Sequence, residues 1–265
     1  MEVDINTLRT QLDERFSAED FEHFQKNGFV IVRGLGQPEM CRRMLDVTLD
    51  GLHRLIGPIE YEADLQYPGA PPAHDAPGGR TARRLKQAHS RDTVFTEWIT
   101  SPAVTGRLRQ ILGPELVCPL AHHNCIMTKQ PEFSSDTGWH QDIRYWSFTR
   151  PDLVNVWLAL GSERQENGGL RLIPGSHVAT FPRSSFDDDL FFRDDLEENQ
   201  PWIDSAITAE LGPGDVVFFH CRLLHAASRN YTTERKYSVV FTFRAADNPP
   251  ISGTRSARLP ELLIH

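Results

Sequence analysis

Apolar positions recur with two different textures along the chain. In the first part the spacing is helical: Ile5, Leu8, Leu12 and Phe16 predict one helix. Ser17 then offers a hydroxyl cap with Asp20 three residues on. That predicts a second helix running to about Lys26 and closed by Asn27-Gly28. Phe29-Val30-Ile31-Val32 reads as a buried strand, 34–38 as a turn, and 39–55 as another helix with Met44, Leu45, Leu49, Leu52 and Leu55 partly on one face. Prolines and glycines interrupt any regular element over 57–82, a length that in a compact domain predicts a functional or disordered loop. The loop runs into Arg80-Thr81-Ala82-Arg83-Arg84-Leu85-Lys86, the most basic stretch of the chain, read either as a solvated segment or as a wall over an anionic ligand. Ser101-Pro102 starts a helix to about Leu112, stopped by Gly113.

After residue 114 the texture changes. Short apolar segments at 116–120, 125–128, 153–160, 170–173, 207–211, 216–219 and 237–244 alternate with Gly, Pro, Asn and Asp. Strands in series without intervening helices predict an antiparallel sandwich or barrel. Residues 181–201 interrupt the series with an acidic insert, expected to be an exposed loop or short helix, with a cation site as the alternative. No repeat or long linker divides the chain. The expectation is one domain over 1–265: a helical N-terminal layer to about residue 113 and a β core from about 114 to 245.

Composition narrows this little. Hydrophobic residues are 39% and charged residues 24% of the 265, ordinary for a globular protein. No run approaches the roughly 18 apolar residues of a membrane helix. Met1-Glu2-Val3-Asp4 lacks the apolar run of a secretory signal. Cys41, Cys118, Cys125 and Cys221 form no CxxC pair and read as reduced thiols of a cytoplasmic protein. The net charge of −8 argues against nucleic-acid or anionic-membrane partners. A small molecule is the expected partner, for a monomer or homodimer.

The candidate chemistry centres on Trp139-His140-Gln141-Asp142. In extended backbone His140 and Asp142 point to one side. A second histidine from elsewhere would complete the two-histidine, one-carboxylate set that suits Fe(II). His225 and His220 both qualify, and local spacing does not separate them. Arg235 offers a planar fork for a carboxylate, and Pro174-Gly175-Ser176-His177 marks a turn after a strand. Singly, each has a plain alternative: His140 a satisfied core histidine, His225 a strand-end residue, Arg235 a surface arginine. Together they favour a metal site.

The chain also resembles the phytanoyl-CoA dioxygenase (PhyH-like) family of Fe(II)/2-oxoglutarate oxygenases. Five stretches, in order, carry the resemblance: Phe21-x-x-Phe24-x-x-Asn27-Gly28-Phe29-Val30; Trp139-His140-Gln141-Asp142; Asn167-Gly168-Gly169-Leu170-x-x-Ile173-Pro174-Gly175-Ser176-His177; Pro213-Gly214-Asp215-Val216-Val217-Phe218-Phe219; and His225-x-x-x-x-Asn230 with Arg235. It implies a mainly β (α+β) fold, a cupin-like double-stranded β-helix or jelly-roll core with N-terminal and flanking helices. It implies Fe(II), 2-oxoglutarate and O2 as cofactor and co-substrates, with His140, Asp142 and His225, rather than His220, as metal ligands. It makes Arg235 the partner of the distal 2-oxoglutarate carboxylate, although some members place this arginine eleven rather than ten residues after the histidine. By position it adds Lys86, Cys125 and Trp157 as co-substrate contacts. The family's serine after the distal histidine is displaced here by one residue, to Ser228. The carboxylate of Asp142 argues against a halogenating variant.

The resulting expectation is a dioxygenase that hydroxylates a small anionic or polar molecule and releases succinate and CO2. Arg80, Arg83, Arg84 and Arg144 suggest the anionic group, and His122, His123, Asn124, Tyr145 and Trp146 a polar pocket, although these arginines could equally pair with the acidic surplus. The rivals are a cupin-like metalloenzyme without 2-oxoglutarate and a non-catalytic binding module on the same fold.

Overall fold

The computed structural model describes residues 14–265. The helix expected over 5–16 lies outside the described residues, except that Phe16 is buried and meets the Phe218 ring edge-on at 5.1 Å. Helix α1, Ala18–Asn27, begins at Ser17, whose hydroxyl accepts from the Asp20 N–H. Such a cap contributes about 1 kcal/mol. The helix stops at Gly28, where φ is +80° and an added Cβ would lie 2.4 Å from the His177 ring, so both conformation and space demand glycine.

Strand β1, Phe29–Val32, follows, then helix α2, Pro38–His53, and β2, Ile59–Tyr61. The basic stretch is strand β3, Ala82–Lys86. Helices α3, Thr93–Ile99, and α4, Pro102–Leu112, come next; the first of these has no counterpart in the expected pattern. The later strands are β4, Leu116–Pro119; β5, Asn124–Lys129; β6, Thr137–His140; β7, Leu153–Ala159; β8, Leu170–Leu172; β9, Ile207–Thr208; β10, Val216–His220; β11, His225–Ala227; β12, Lys236–Ala245; and β13, Glu261–Ile264. A one-and-a-half-turn helix, α5, Gln200–Asp204, precedes β9.

Two antiparallel sheets form the jelly roll. The larger runs β1-β10-β7-β12-β5-β3-β2, with β4 bridging β12 and β13; the smaller runs β6-β11-β8-β9. The N-terminal part is therefore not a helical layer alone, because β1, β2 and β3 extend the large sheet. The loop expected over 57–82 is regular at both ends. Among the described residues no helix is long and apolar enough to cross a membrane.

The large sheet divides its side chains by parity. Val154, Val156 and Leu158 of β7, Val216 and Phe218 of β10, and Val239, Phe241 and Phe243 of β12 pack with Met44, Phe95, Trp98 and Leu108 from the helices. Trp157 and Ala159, Val217 and Phe219, and Val240 face the small sheet with Leu170 and Leu172. Successive residues of a strand point to opposite faces, so one helix-covered core and one inter-sheet interior arise from the same strands. Lys236, Ser238, Val240 and Thr242 of β12 turn to the interior side, where the three polar ones meet Glu163 and Asn155.

Candidate active site

The small sheet brings the two histidines together. His225 on β11 is registered opposite His140 at the end of β6, and their rings lie 4.2 Å apart. Gln141 keeps an extended backbone, and Asp142 opens a short 3-10 turn over Asp142–Tyr145. The Asp142 carboxylate lies 3.8 Å from His140 Nε2 and 3.7 Å from His225 Nε2. One ligand atom from each of these three buried residues falls within 4.8 Å of the others. His220 points elsewhere: its Nδ1 accepts from the Arg222 N–H and its Nε2 is 3.4 Å from Asp152.

The surroundings set protonation and orientation. His140 Nδ1 donates to the Gly138 carbonyl at 2.8 Å, and His225 Nδ1 to the Leu223 carbonyl at 3.0 Å. Each Nε2 lone pair is thereby turned toward the shared point. Burial, reinforced at His140 by the facing His225, holds both imidazoles below their ordinary range and hence neutral. Burial opposes ionisation of Asp142, but the charges around it, His123 foremost, keep its carboxyl well below the usual range. Asn155 of β7 donates to Asp142 Oδ2 at 2.8 Å, and His123 Nε2 to Oδ1 at 3.0 Å. His123 would lose its proton on burial alone; the Asp142 charge and hydrogen bond raise it to about 9. Two neutral imidazoles and an ionised carboxylate on one face are a donor set that fits a divalent metal such as iron.

Beside these three lies a narrow cavity lined by Met127, Lys129, Thr137, Trp157, Leu170, Phe219 and Lys236. Lys129 and Lys236 are nearly fully buried. Lys236 Nζ is 3.1 Å from both Glu163 Oε2 and Ser238 Oγ and stands over the Trp157 ring at 4.9 Å. Trp157 Nε1 and the Ser238 hydroxyl donate to the same Glu163 carboxylate, at 3.1 and 2.6 Å. Lys129 donates to the Ser135 carbonyl, and burial with the nearby Arg83 charge lowers its pKa well below the lysine range.

Several expected residues stand elsewhere. Arg235 is exposed and lines a shallow surface cavity with Arg80, Leu55 and Phe133; it precedes β12 by one residue and so falls on the opposite side of the sheet from Lys236. Arg80 goes with it. The Ser228 hydroxyl donates to the Gln165 carbonyl at 2.7 Å rather than into the cavity. Arg83 is buried in a web with Glu62 at 3.3 Å, Ser135 Oγ at 2.7 Å and Thr137 Oγ1 at 2.9 Å, which ties β3 to the strand carrying His140 and leaves no free fork for a substrate. Trp157 lines the inner cavity, whereas Lys86 and Cys125 line a second, outer cavity. Tyr145 is exposed with its hydroxyl on the Asp189 carbonyl, and Arg144, in the 3-10 turn rather than extended backbone, covers the Phe191 ring at 4.0 Å. His123 and Trp146 face the outer cavity.

The sequence reading missed Asn155, Glu163, Lys129, Lys236, Tyr67 and Phe191. Asn155 was visible as the one amide inside an apolar strand. The acidic insert is not simply an exposed loop: Phe181, Phe192 and Trp202 pack beneath it, and Phe191 comes within 5.9 Å of the His140 ring and 5.5 Å of the Tyr67 ring from the 57–82 segment.

Residues 24–237 match the family model described as phytanoyl-CoA dioxygenase (PhyH). The ectoine dioxygenase of Halomonas elongata is 24% identical over 272 residues, covering 96% of this chain and 78% of that one. The L-proline trans-4-hydroxylase of Streptomyces griseoviridis is 26% identical over 204 residues, covering 67% and 73%. The crystal structure of EctD from S. alaskensis with 2-oxoglutarate and 5-hydroxyectoine superimposes with a TM-score of 0.73 at 17% identity, over 89% of this chain and 78% of that one. With a match spanning most of its length and the two-histidine, one-carboxylate set in place, the chain belongs to the phytanoyl-CoA dioxygenase family.

Proposed function

We propose that the protein hydroxylates an unactivated C–H bond of a small anionic or polar organic molecule. As a dioxygenase of this family it consumes 2-oxoglutarate and O2, placing one oxygen atom in the product and the other in succinate, with loss of CO2. The observation that carries the reading is the convergence of His140 Nε2, Asp142 and His225 Nε2 on one buried point.

His140, Asp142 and His225 hold the metal, and iron bound there supplies the redox chemistry that neither imidazole nor carboxylate can perform. The chain's own contribution is orientation and exclusion of water. The Gly138 and Leu223 carbonyls fix the two imidazole tautomers. Asn155 and His123 hold the Asp142 carboxylate from both sides. Lys236, not Arg235, is the basic residue we assign to the distal carboxylate of 2-oxoglutarate. It is supported by its burial, its place on the interior face of β12, and Trp157 beneath it. An ammonium replaces the usual guanidinium fork there, giving a point charge rather than a bidentate clamp. Phe191, Tyr67 and Arg144 close one side and keep bulk water from the site.

The test supplies Fe(II), ascorbate and 2-oxoglutarate in air and measures succinate. Slow uncoupled turnover and saturable 2-oxoglutarate binding are expected; absence of both would defeat the proposal.

A further inference from the structure

The outer cavity, of about 390 Å3, shares Arg84 and His123 with the inner one. A ligand touching His123 from this side is one side chain from Asp142, whose Oδ1 is 3.0 Å from His123 Nε2. The outer walls come from β3, the turn before β5, Trp146, and the segment after β12, which the sequence reading left without a role.

That segment carries Arg255 and Arg258. Residues Arg255–Ala257 form a 3-10 turn, closed by the Arg258 N–H on the Arg255 carbonyl. Side chains three apart on such a turn eclipse, so both guanidinium groups belong to one side, and both line the cavity. The turn is anchored by Ser256, fully buried: its hydroxyl accepts from the Ser147 N–H at 2.8 Å and lies 2.8 Å from His122 Nε2. His122 in turn stacks on Trp146 at 4.7 Å.

The charge count is lopsided. The cavity wall holds Arg84, Lys86, Arg255 and Arg258 against one carboxylate, Glu60, which lies 3.3 Å from Arg84. Among the described residues no ion pair engages Lys86, Arg255 or Arg258. Three uncompensated cations converge on one concavity in a chain of net charge −8. Such a cluster repels itself and is relieved by an oxyanion, which arginine forks bind with charge-assisted pairs.

We propose that the outer cavity is the substrate's anion subsite, in which Lys86, Arg255 and Arg258 hold a carboxylate or phosphate group while the rest of the molecule reaches past His123 toward the metal ligands. This deepens the proposed function and rests on it for the word substrate. It commits the protein to a substrate with an oxyanion set away from the carbon that reacts, and it makes Arg255 and Arg258 determinants of specificity.

The test uses the full chain loaded with Mn(II) and saturating 2-oxoglutarate, so that the inner site is filled and no turnover occurs. Inorganic phosphate and acetate are titrated separately, with calorimetry and tryptophan fluorescence, Trp146 being in the wall, as readouts. Saturable binding of one or both is expected, and the preferred anion identifies the group. The R255A/R258A double variant should weaken it about tenfold or more, the scale of a lost charge-assisted hydrogen bond. Lys86→Ala should weaken it less, and R255K/R258K should restore part, which guards against a variant that merely misfolds. No saturable binding to the wild type, or binding unchanged in the double variant, overturns the subsite. Binding of 2-oxoglutarate, titrated beforehand into the Mn(II)-loaded protein, is a separate readout: its failure alone counts against the proposed function and not against the oxyanion subsite.

Discussion

In the inner cavity Arg83, Lys129 and Lys236 are almost wholly buried, each held by a carboxylate, hydroxyl or carbonyl: Glu62 with Ser135, the Ser135 carbonyl, and Glu163 with Ser238. In the outer cavity Lys86, Arg255 and Arg258 are exposed and engage no ion pair among the described residues. The first arrangement is rigid because every buried charge must be matched, and loss of one partner strands the other. The second is soft, since water solvates each cation until a ligand arrives. On the proposed reading, the difference separates what must stay constant, the placement of a metal and a co-substrate, from what would set the choice of substrate. Substitutions in the inner region should therefore be costly and broad in effect, and those in the outer region mild and confined to one ligand.

The largest effect is expected at Asp142. It is the only carboxylate among the three converging residues proposed to hold the metal and accepts from Asn155 and His123. Asp142→Ala should abolish succinate formation and weaken Mn(II) binding by more than about a hundredfold, beyond the cost of losing a supporting hydrogen bond alone. A calorimetric metal titration decides this, and unchanged affinity would mean that the metal sits elsewhere.

Next comes Lys236, tested against its neighbour. Lys236→Ala should raise KM for 2-oxoglutarate about 10- to 100-fold, as expected for a lost charge-assisted bond. It also leaves Glu163 buried without its ammonium, which should cost about 3–5 kcal/mol of stability in a denaturant titration. Arg235→Ala should change neither quantity noticeably, being exposed on the other side of β12. The reverse pattern would return the clamp to Arg235. Asn155→Ala should be milder still on turnover, with metal affinity down by about tenfold; its second bond, accepted from the Thr242 hydroxyl at 2.6 Å, makes some loss of stability part of the result.

The same contrast explains what could be read from sequence. An antiparallel sandwich or barrel was legible because its strands are short apolar runs, and one edge of the His-Asp-His cluster because His140 and Asp142 lie two residues apart; the jelly roll, and His225 over His220, came only with the family resemblance. The strands that carry His140 and His225, β6 and β11, were not legible, since Thr137-Gly138-Trp139-His140 and His225-Ala226-Ala227 lack an apolar pattern. The choice between Arg235 and Lys236 turns on parity: a shift of one residue moves a side chain through the sheet, and chemistry alone favours the arginine. Only the pairing of Lys236 with Lys129, and of Val240 with Cys125 and Trp157, fixes which face is interior. Glu163 and Arg255 were unreadable for another reason, because a loop residue's partners are set by tertiary contacts that leave no periodicity.

The smallest expected effect probes the soft region without touching its cations. Ser256 contributes no charge to the outer cavity, yet its buried hydroxyl accepts from the Ser147 N–H and meets His122 Nε2, so it fixes the turn bearing Arg255 and Arg258. Ser256→Ala leaves the Ser147 amide short of an acceptor, which should cost about 1–3 kcal/mol of stability. Arg255 and Arg258 keep their charge and can still find an oxyanion from a looser turn, so affinity for phosphate or acetate should fall only about two- to fivefold, well short of what a lost charge-assisted bond costs. Affinity for 2-oxoglutarate should stay within error, because no contact of Ser256 reaches Lys236 or Glu163. A matching loss of both ligands in Ser256→Ala would mean that the two cavities are one mechanical unit, and the division between a rigid inner site and an adaptable outer one would have to be abandoned.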